Sequence, residues 1–352
     1  MAAKVAVLGA TGAVGREVRR LLDERGFPLD GEPILLASER SAGKRLPWKD
    51  GEVEVRAVGP DAFDGVDIAI FSAGGGRSRE WAAVAAEAGA VVVDNSSAFR
   101  MDDEVPLVVA EVNPEAARRR PKGIIANPNC TTMVLMVAAK PLHDAFGLTA
   151  AVATSYQAAG GAGMGGITEL IDQTAKLVND PDRLRTDGAA AEASVDTGNF
   201  SKAIAFNVLA HCGSFDDERY TDEEWKLVNE SRKILDLPAL RMSPTCVRVP
   251  VVVGHGIQAR LSFSQPVERD AVLAALEGAP GLQIVDGVGT GGEPLAYPTP
   301  LGSAGIDDVL IGRIREDLGD PYSINVWVVG DNLLKGAALN AVQIAELVAA
   351  ED

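Results

Sequence analysis

Cysteine, histidine and positive charge are scarce in this 352-residue chain. Its three cysteines, Cys130, Cys212 and Cys246, stand far apart and form no C-x-x-C pair. That argues against a disulfide framework or a cysteine-rich metal site, so no metal is expected and any special cysteine is a reduced thiol. Lys and Arg number 33 against 50 Asp and Glu, a formal charge of -17 spread along the chain rather than gathered in a tail. Such a surface repels nucleic acid and anionic membranes, so neither is expected as a partner, and the excess reads as an aid to solubility. Apolar runs such as residues 251–253 stop far short of the roughly 20 residues that cross a bilayer. The first residues reach a strand-like stretch at 4–8 without the basic, apolar and small-residue succession of a signal peptide; a cytoplasmic protein is expected.

Apolar residues, by contrast, make up 47% of the chain, enough for two ordinary cores. Short apolar runs at 5–8, 34–36, 53–58, 67–71, 90–94, 107–109 and 123–126 alternate with helix-like stretches, which predicts a mostly parallel sheet covered by helices. Between the first two runs, Val14, Val18, Leu21 and Leu22 recur at helical spacing. Beyond Cys130 the spacing predicts a helix over 131–146, a strand near 151–156, and a helix carrying Ile167, Leu170, Ile171, Thr174 and Leu177. Runs at 247–253, 257–263 and 323–329 suit a second sheet with one helix-covered face. Residues 180–202 read as a long excursion, a candidate for contact with a partner subunit, and residues 287–300 as a loop. Asp331 or Asn332 can cap a last helix whose stripe, Leu334, Ala338, Ala341, Ala345 and Val348, is expected to pack back on the first domain. The expected domains are residues 1–129 with 330–352, and residues 130–329.

Gly9-Ala10-Thr11-Gly12-Ala13-Val14-Gly15 follows the first strand and opens a helix, so its backbone N–H groups and the helix dipole can hold a pyrophosphate. Gly9, Thr11, Gly12, Ala13 and Val14 are the candidate contacts. The spacing departs from the usual G-x-G-x-x-G, and a glycine turn alone can be structural; strand, turn and helix in that order favour a dinucleotide. After the second strand, Ser38, Arg40 and Ser41 can hydrogen-bond a ribose 2′-phosphate, which favours NADP. Against that, Glu39 would oppose the phosphate charge, and a plain exposed loop has the same composition. Asn127-Pro128-Asn129-Cys130-Thr131-Thr132 places Cys130 at or near a helix N-terminus, where backbone N–H groups and the dipole favour the thiolate. Cys212 and Cys246 read as small core residues. A thiol nucleophile in redox chemistry needs an acid/base partner, and the chain has only His143, His211 and His255. His143 lies too far along the same helix from Cys130, whereas His255 sits between glycines in a loop joining two strands, seven residues after Arg248.

With these residues in hand the chain resembles bacterial aspartate-semialdehyde dehydrogenases over essentially its whole length. The matching motifs, in the family's order, are the Gly9 to Gly15 turn, Asp94-Asn95-Ser96-Ser97-Ala98-Phe99-Arg100, the Asn127 to Thr132 segment, Ser155-Tyr156-Gln157, Glu223-Glu224-Trp225-Lys226, Cys246-Val247-Arg248-Val249 and Gly254-His255. The resemblance implies an α/β fold with an N-terminal Rossmann-like NADP-binding domain and an α+β catalytic and dimerisation domain, the last helix returning to the first. It also implies that Cys130 attacks the acyl carbon, His255 is the acid/base, and Gln157 positions the substrate and thioester. Arg248 would bind the α-carboxylate, Glu223 face the α-ammonium, and Arg100, Lys226 and Asn129 bind phosphate, while Gly160, Gly161 and Asn332 join the cofactor contacts. One departure is Ala159-Gly160-Gly161, where many relatives carry a serine after the alanine, so a hydroxyl contact to the cofactor is lost. The implied reaction interconverts L-aspartate 4-semialdehyde, inorganic phosphate and NADP with 4-phospho-L-aspartate and NADPH, the branch point toward lysine, methionine, threonine and isoleucine, in a homodimer or a tetramer. An N-acetyl-glutamyl-phosphate reductase would share the thioester and the histidine, but Glu223 suits a free ammonium better than a neutral amide. A catalytically silent NADP-binding sensor would have no use for Cys130, Gln157, Arg248 and His255 together.

Overall fold

The computed structural model describes residues 2–289 and 294–351. The chain divides into two compact units, one of Met1–Val137, Asn229–Pro238 and Leu333–Asp352, the other of Ala138–Val228 and Ala239–Asn332. Residues 229–238, expected in the second domain, thus count with the first.

The first unit is built on the strands β1 (Val5–Leu8), β2 (Ile34–Ala37), β3 (Arg45–Trp48), β4 (Gly51–Ala57), β5 (Ile68–Phe71), β6 (Val91–Asp94) and β7 (Ile124–Ala126), in the order β3-β4-β2-β1-β5-β6-β7. All neighbours run parallel except β3 and β4. Every side chain of β1 and β5 is buried, as parallel strands covered on both faces require. Helices α1 (Ala13–Glu24) and α2 (Gly75–Glu87) belong to this layer, and α1 lays Val18, Leu21 and Leu22 into the core. Without β3 the strand order is that of a doubly wound dinucleotide fold, whose switch point falls between β1 and β5. The sequence shows only one strand where β3 and β4 form a hairpin, because β3 is an exposed edge carrying Pro47, which breaks any apolar alternation. Residues 107–109, expected as a strand, make only a single bridge, from Leu107 to Ala126. Helix α3 (Cys130–Phe146) starts in this unit.

The second unit carries β8 (Leu148–Gln157), β9 (Arg241–Arg248), β10 (His255–Phe263), β11 (Leu282–Ile284), β12 (Gly287–Val288), β13 (Leu295–Ala296), β14 (Val309–Glu316) and β15 (Ser323–Gly330). Six of them form one mixed sheet, β11-β14-β15-β10-β8-β9, while β12 and β13 pair separately where a plain loop was expected. Residues 290–293 of that expected loop lie outside the described residues. The run expected at 247–253 is displaced: β9 ends at Arg248, and Pro250, two residues on, has no N–H for a ladder. Helix α4 (Gly163–Leu177) buries Leu170 and Leu177 but leaves Ile171 exposed, so its apolar residues divide between two faces. The excursion at 180–202 contains two short helices, α5 (Pro181–Thr186) and α6 (Gly188–Ala193), whose first turns are capped by Asp180 and Asp187. Helix α7 (Asp222–Ile234) begins in this unit and ends in the first; α8 (Arg269–Leu276) and α9 (Pro300–Ser303) complete it.

The last segment is a π-helical turn, Leu334–Ala338, running into α10 (Leu339–Ala349). Leu334, Ala338, Ala341 and Ala345 join the core of the first unit and Val348 packs against it, as the stripe predicts. The two candidate caps also bond to segments distant in the chain. Asn332 Oδ1 accepts the Gly254 N–H at 2.9 Å and Asp331 Oδ2 accepts the Gly305 N–H at 2.9 Å.

Candidate active site

The glycine turn leaves β1 at the switch point of the first sheet. Gly9 holds φ +90°, and a Cβ there would lie 2.2 Å from the Ser72 carbonyl oxygen; one on Gly15 would lie 2.2 Å from the Gly9 carbonyl oxygen. Only glycine allows this backbone-on-backbone packing. Thr11 and Gly12 are exposed ahead of Ala13 and Val14 in the first turn of α1, whose N–H groups have no partners within the helix. Ser38 and Arg40 are exposed beside Glu39 in the turn after β2, Ser41 is buried, and Arg40 has no ion-pair partner among the described residues. A cradle closed to side chains, followed by a loop bearing a guanidinium and hydroxyls, fits a phosphorylated dinucleotide.

Cys130 is the first residue of α3 and is half-buried, whereas Cys212 and Cys246 are buried. Asn129 caps the helix: its Oδ1 accepts the N–H groups of Thr131 at 2.9 Å and Thr132 at 3.4 Å. Its own N–H donates to Glu230 Oε2 at 2.6 Å. Arg100, 8% exposed, donates through Nη1 to Glu230 Oε1 at 3.0 Å, through Nε to the Asn127 carbonyl at 2.9 Å and through Nη2 to the Asn95 carbonyl at 3.2 Å. Each terminal nitrogen keeps a second hydrogen. Lys233 ties down the segment after Arg100 by donating to the carbonyls of Arg100, Asp102 and Val105. Glu230 was not legible as a site residue; its one signal is a seven-residue spacing from Glu223, which sets both on one face of α7.

In the second unit β8 ends at Gln157 and β9 at Arg248, and the two residues pair in register. Gln157 is buried and its Nε2 donates to Ser155 Oγ at 3.3 Å. Arg248, 8% exposed, donates through Nη1 to the Ala158 carbonyl at 2.7 Å and lies over the Phe200 ring at 5.7 Å. No carboxylate pairs with it among the described residues. His255, fully buried at the start of β10, accepts the Ala158 N–H on Nδ1 at 3.0 Å, which places the proton of the neutral ring on Nε2. Burial, reinforced by the Arg248 charge, pushes its pKa down to about 3. Gly161 closes this group: a Cβ there would lie 2.9 Å from Arg248 Nη1 and 3.4 Å from His255 Cε1. A Cβ on Gly160 would lie 2.6 Å from the Val252 carbonyl oxygen, so this backbone leaves no room for the serine of relatives. Asn332 holds the Gly254 N–H, immediately before His255.

Helix α7 opens with a capping box, in which Glu224 Oε2 accepts the Thr221 N–H at 2.7 Å and Thr221 Oγ1 the Glu224 N–H at 3.3 Å. Its first turn brings Lys226 Nζ to Asp222 Oδ2 at 2.6 Å and to Glu223 Oε1 at 2.7 Å. Burial works against the ammonium, but the Glu223 and Asp222 carboxylates outweigh it and raise the Lys226 pKa. Burial pushes the Cys246 thiol up, which suits an inert core residue. The structure thus gathers Cys130, Asn129 and Arg100 in the first unit, and Gln157, Arg248, His255 and Gly161 in the second; it pairs Glu223 with Lys226.

A half-buried cysteine on a helix N-terminus, a glycine turn closed to side chains and a buried histidine–arginine pair are what a dinucleotide-dependent aldehyde dehydrogenase would need. Residues 4–120 match the model of the semialdehyde dehydrogenase NAD binding domain and residues 139–335 that of the semialdehyde dehydrogenase dimerisation domain. An aspartate-semialdehyde dehydrogenase of Streptomyces akiyoshiensis is 50% identical over 350 residues, 99% of each chain. Aspartate semialdehyde dehydrogenase II of Vibrio cholerae, solved in complex with ASA, superposes with a TM-score of 0.91 at 44% identity over 100% of this chain and 99% of that one. The Candida albicans enzyme, solved with NADP, gives 0.75 at 25% identity over 99% of each. The chain belongs to the aspartate-semialdehyde dehydrogenase family. Among the described residues no helix is long and apolar enough to cross a membrane.

Proposed function

We propose that this chain reduces 4-phospho-L-aspartate to L-aspartate 4-semialdehyde with NADPH, in the cytoplasm and as a homodimer, through a thioester on Cys130. The observation that carries the reading is Arg248, a buried guanidinium without a carboxylate partner among the described residues, beside a histidine held neutral. A buried charge without a counterion is costly, and the α-carboxylate of the substrate supplies one. Nη1 is held by Ala158, which leaves Nη2 to take part in a planar contact with it. Glu223 offers an anion for the α-ammonium, which the N-acetylated rival lacks.

Cys130 attacks the acyl carbon; the C–O bond to phosphate breaks, and the thiol proton leaves with the phosphate. Arg100 and Lys226 supply N–H donors to the phosphate oxygens, with Asn129 holding the turn beside them. The Gly9–Gly15 turn with Ser38, Arg40 and Ser41 would hold the cofactor, which would supply the hydride that reduces the thioester. The alkoxide so formed expels the Cys130 thiolate and becomes the aldehyde. His255 Nε2–H donates to the carbonyl oxygen as negative charge develops there, and Gln157 orients the acyl group. In the reverse direction the same Nε2–H stabilises the alkoxide formed when the Cys130 thiolate adds to the aldehyde. A preference for NADP rests on Ser38, Arg40 and Ser41. Assembly as a dimer draws support from the match to a dimerisation domain and from Met164, Ile171 and Val178, exposed along one line of α4 and its end. Oxidation of the semialdehyde, followed with NADP and NAD in parallel while phosphate is titrated, tests the proposal. Phosphate-dependent NADPH formation is expected; turnover indifferent to phosphate would overturn it.

A further inference from the structure

We infer that Asn340 is a positioning residue for the loop that carries Cys130, and that the buried Lys335 fixes the direction of its amide. Lys335 is fully buried in the π-helical turn. Its ammonium contacts the Glu111 carboxylate, Asn340 Oδ1 at 2.9 Å and Gln343 Oε1 at 2.8 Å. An ammonium only donates, so Asn340 meets it with its oxygen, which also accepts the Ala110 N–H at 3.0 Å. Asn340 Nδ2 then donates to the Val108 carbonyl at 2.9 Å and to Asn127 Oδ1 at 2.5 Å. With its oxygen occupied, Asn127 turns Nδ2 to Asn95 Oδ1 at 2.6 Å and to the Ala337 carbonyl at 3.1 Å. The donor–acceptor sense therefore runs from Lys335 through Asn340 to Asn127, three residues before Cys130.

Both asparagines are fully buried, so inverting either amide would set N–H against N–H, and oxygen against oxygen, out of reach of solvent. Gln343 Nε2 donates to Glu111 Oε1 at 2.7 Å, so the second oxygen of the lysine's counterion is engaged as well. On the far side of Asn127, Arg100 holds its carbonyl and Glu230 holds the Asn129 N–H. The backbone leading into α3 is thus fixed from two directions, which sets where the Cys130 sulfur stands. The inference rests on Cys130 as the nucleophile.

Asn340→Asp tests it. The variant keeps its shape and an oxygen toward Lys335, where it gains an ion pair, but presents an acceptor to Asn127 Oδ1 and to the Val108 carbonyl. Steady-state kinetics with the semialdehyde and alkylation of Cys130 by iodoacetamide are read beside the parent, with Cys130→Ser as control; Cys212 and Cys246 are buried and react slowly. The expected result is a kcat about tenfold or more lower, a KM within about twofold and an altered alkylation rate, because misplacing the sulfur harms chemistry more than binding. Asn340→Ala, which adds no charge, is expected to move both readings in the same direction. Parental kcat and alkylation in both variants, with at most a lower melting temperature, would overturn the inference. So would failure of both to fold, which would make the role purely structural. Retained turnover in Cys130→Ser would instead remove the nucleophile reading itself.

Discussion

Replacing Glu230 by glutamine probes how the backbone leading to Cys130 is held. Its carboxylate lies 3.0 Å from Arg100 Nη1, with side-chain exposures of 9% for Arg100 and 2% for Glu230, and 2.6 Å from the Asn129 N–H. Glutamine preserves the volume and one acceptor, but it removes the counterion and turns an amide N–H toward one of the two donors. Breaking a buried pair from one side costs about 3–5 kcal/mol, since the other charge stays behind; the retained oxygen holds the loss near the lower end. For units of this size, about 3 kcal/mol lowers Tm by roughly 6–12 °C. Thermal melts of parent and variant at neutral pH read the shift directly. Phosphate should restore part of it if Arg100 binds phosphate, because an anion then replaces the lost carboxylate and binds the folded state alone. A Tm within about 2 °C of the parent would refute this accounting, and a shift indifferent to phosphate would remove Arg100 from the phosphate contacts.

Cys130→Ser should abolish turnover while NADP binding, measured by fluorescence titration, stays near the parental value; activity within about tenfold of the parent would sink the covalent route. Arg248→Lys should weaken the substrate by about 1.5–3 kcal/mol, read as kcat/KM, because a point ammonium cannot reproduce a planar fork; unchanged kinetics would place the carboxylate elsewhere. Between the ordinary imidazole pKa and the depressed value of about 3 for His255, the unfolded chain binds more protons than the folded one, so stability rises with pH through that window. This contribution, on the order of 5 kcal/mol, is fully present above about pH 6.5 and lost as pH falls toward 3. Denaturant melts of His255→Asn should therefore lose less stability from neutral to acid pH than the parent, and parallel curves would contradict the assignment. Arg40→Ala should shrink any preference for NADP over NAD in kcat/KM, and equal values for both cofactors in the parent would reject the 2′-phosphate reading.

What the sequence discloses in this chain is what neighbours in sequence do to one another. The glycine turn is legible because Gly9 and Gly15 are close enough that their backbones meet, and Cys130 because its cap, Asn129, reaches only as far as Thr132. The alternation of strands is legible for the same reason, and it fails where the local signal fails, at the exposed, proline-bearing strand β3. Arg100 and Glu230 are 130 residues apart, and neither stands in a pattern that names the other. Asp331 and Asn332 read as caps because a helix follows them, and nothing local discloses that Asp331 Oδ2 and Asn332 Oδ1 serve Gly305 and Gly254, 26 and 78 residues earlier. Lys335 is the sharpest case. Apolar periodicity would place a lysine at that point on the outer side of the helix, but the π-helical turn buries all five of its residues, and the ammonium sits among oxygens from Glu111, Asn340 and Gln343. An ammonium stays charged in a core only where such oxygens converge, so a buried lysine marks a polar interior that hydrophobic spacing has no means to register.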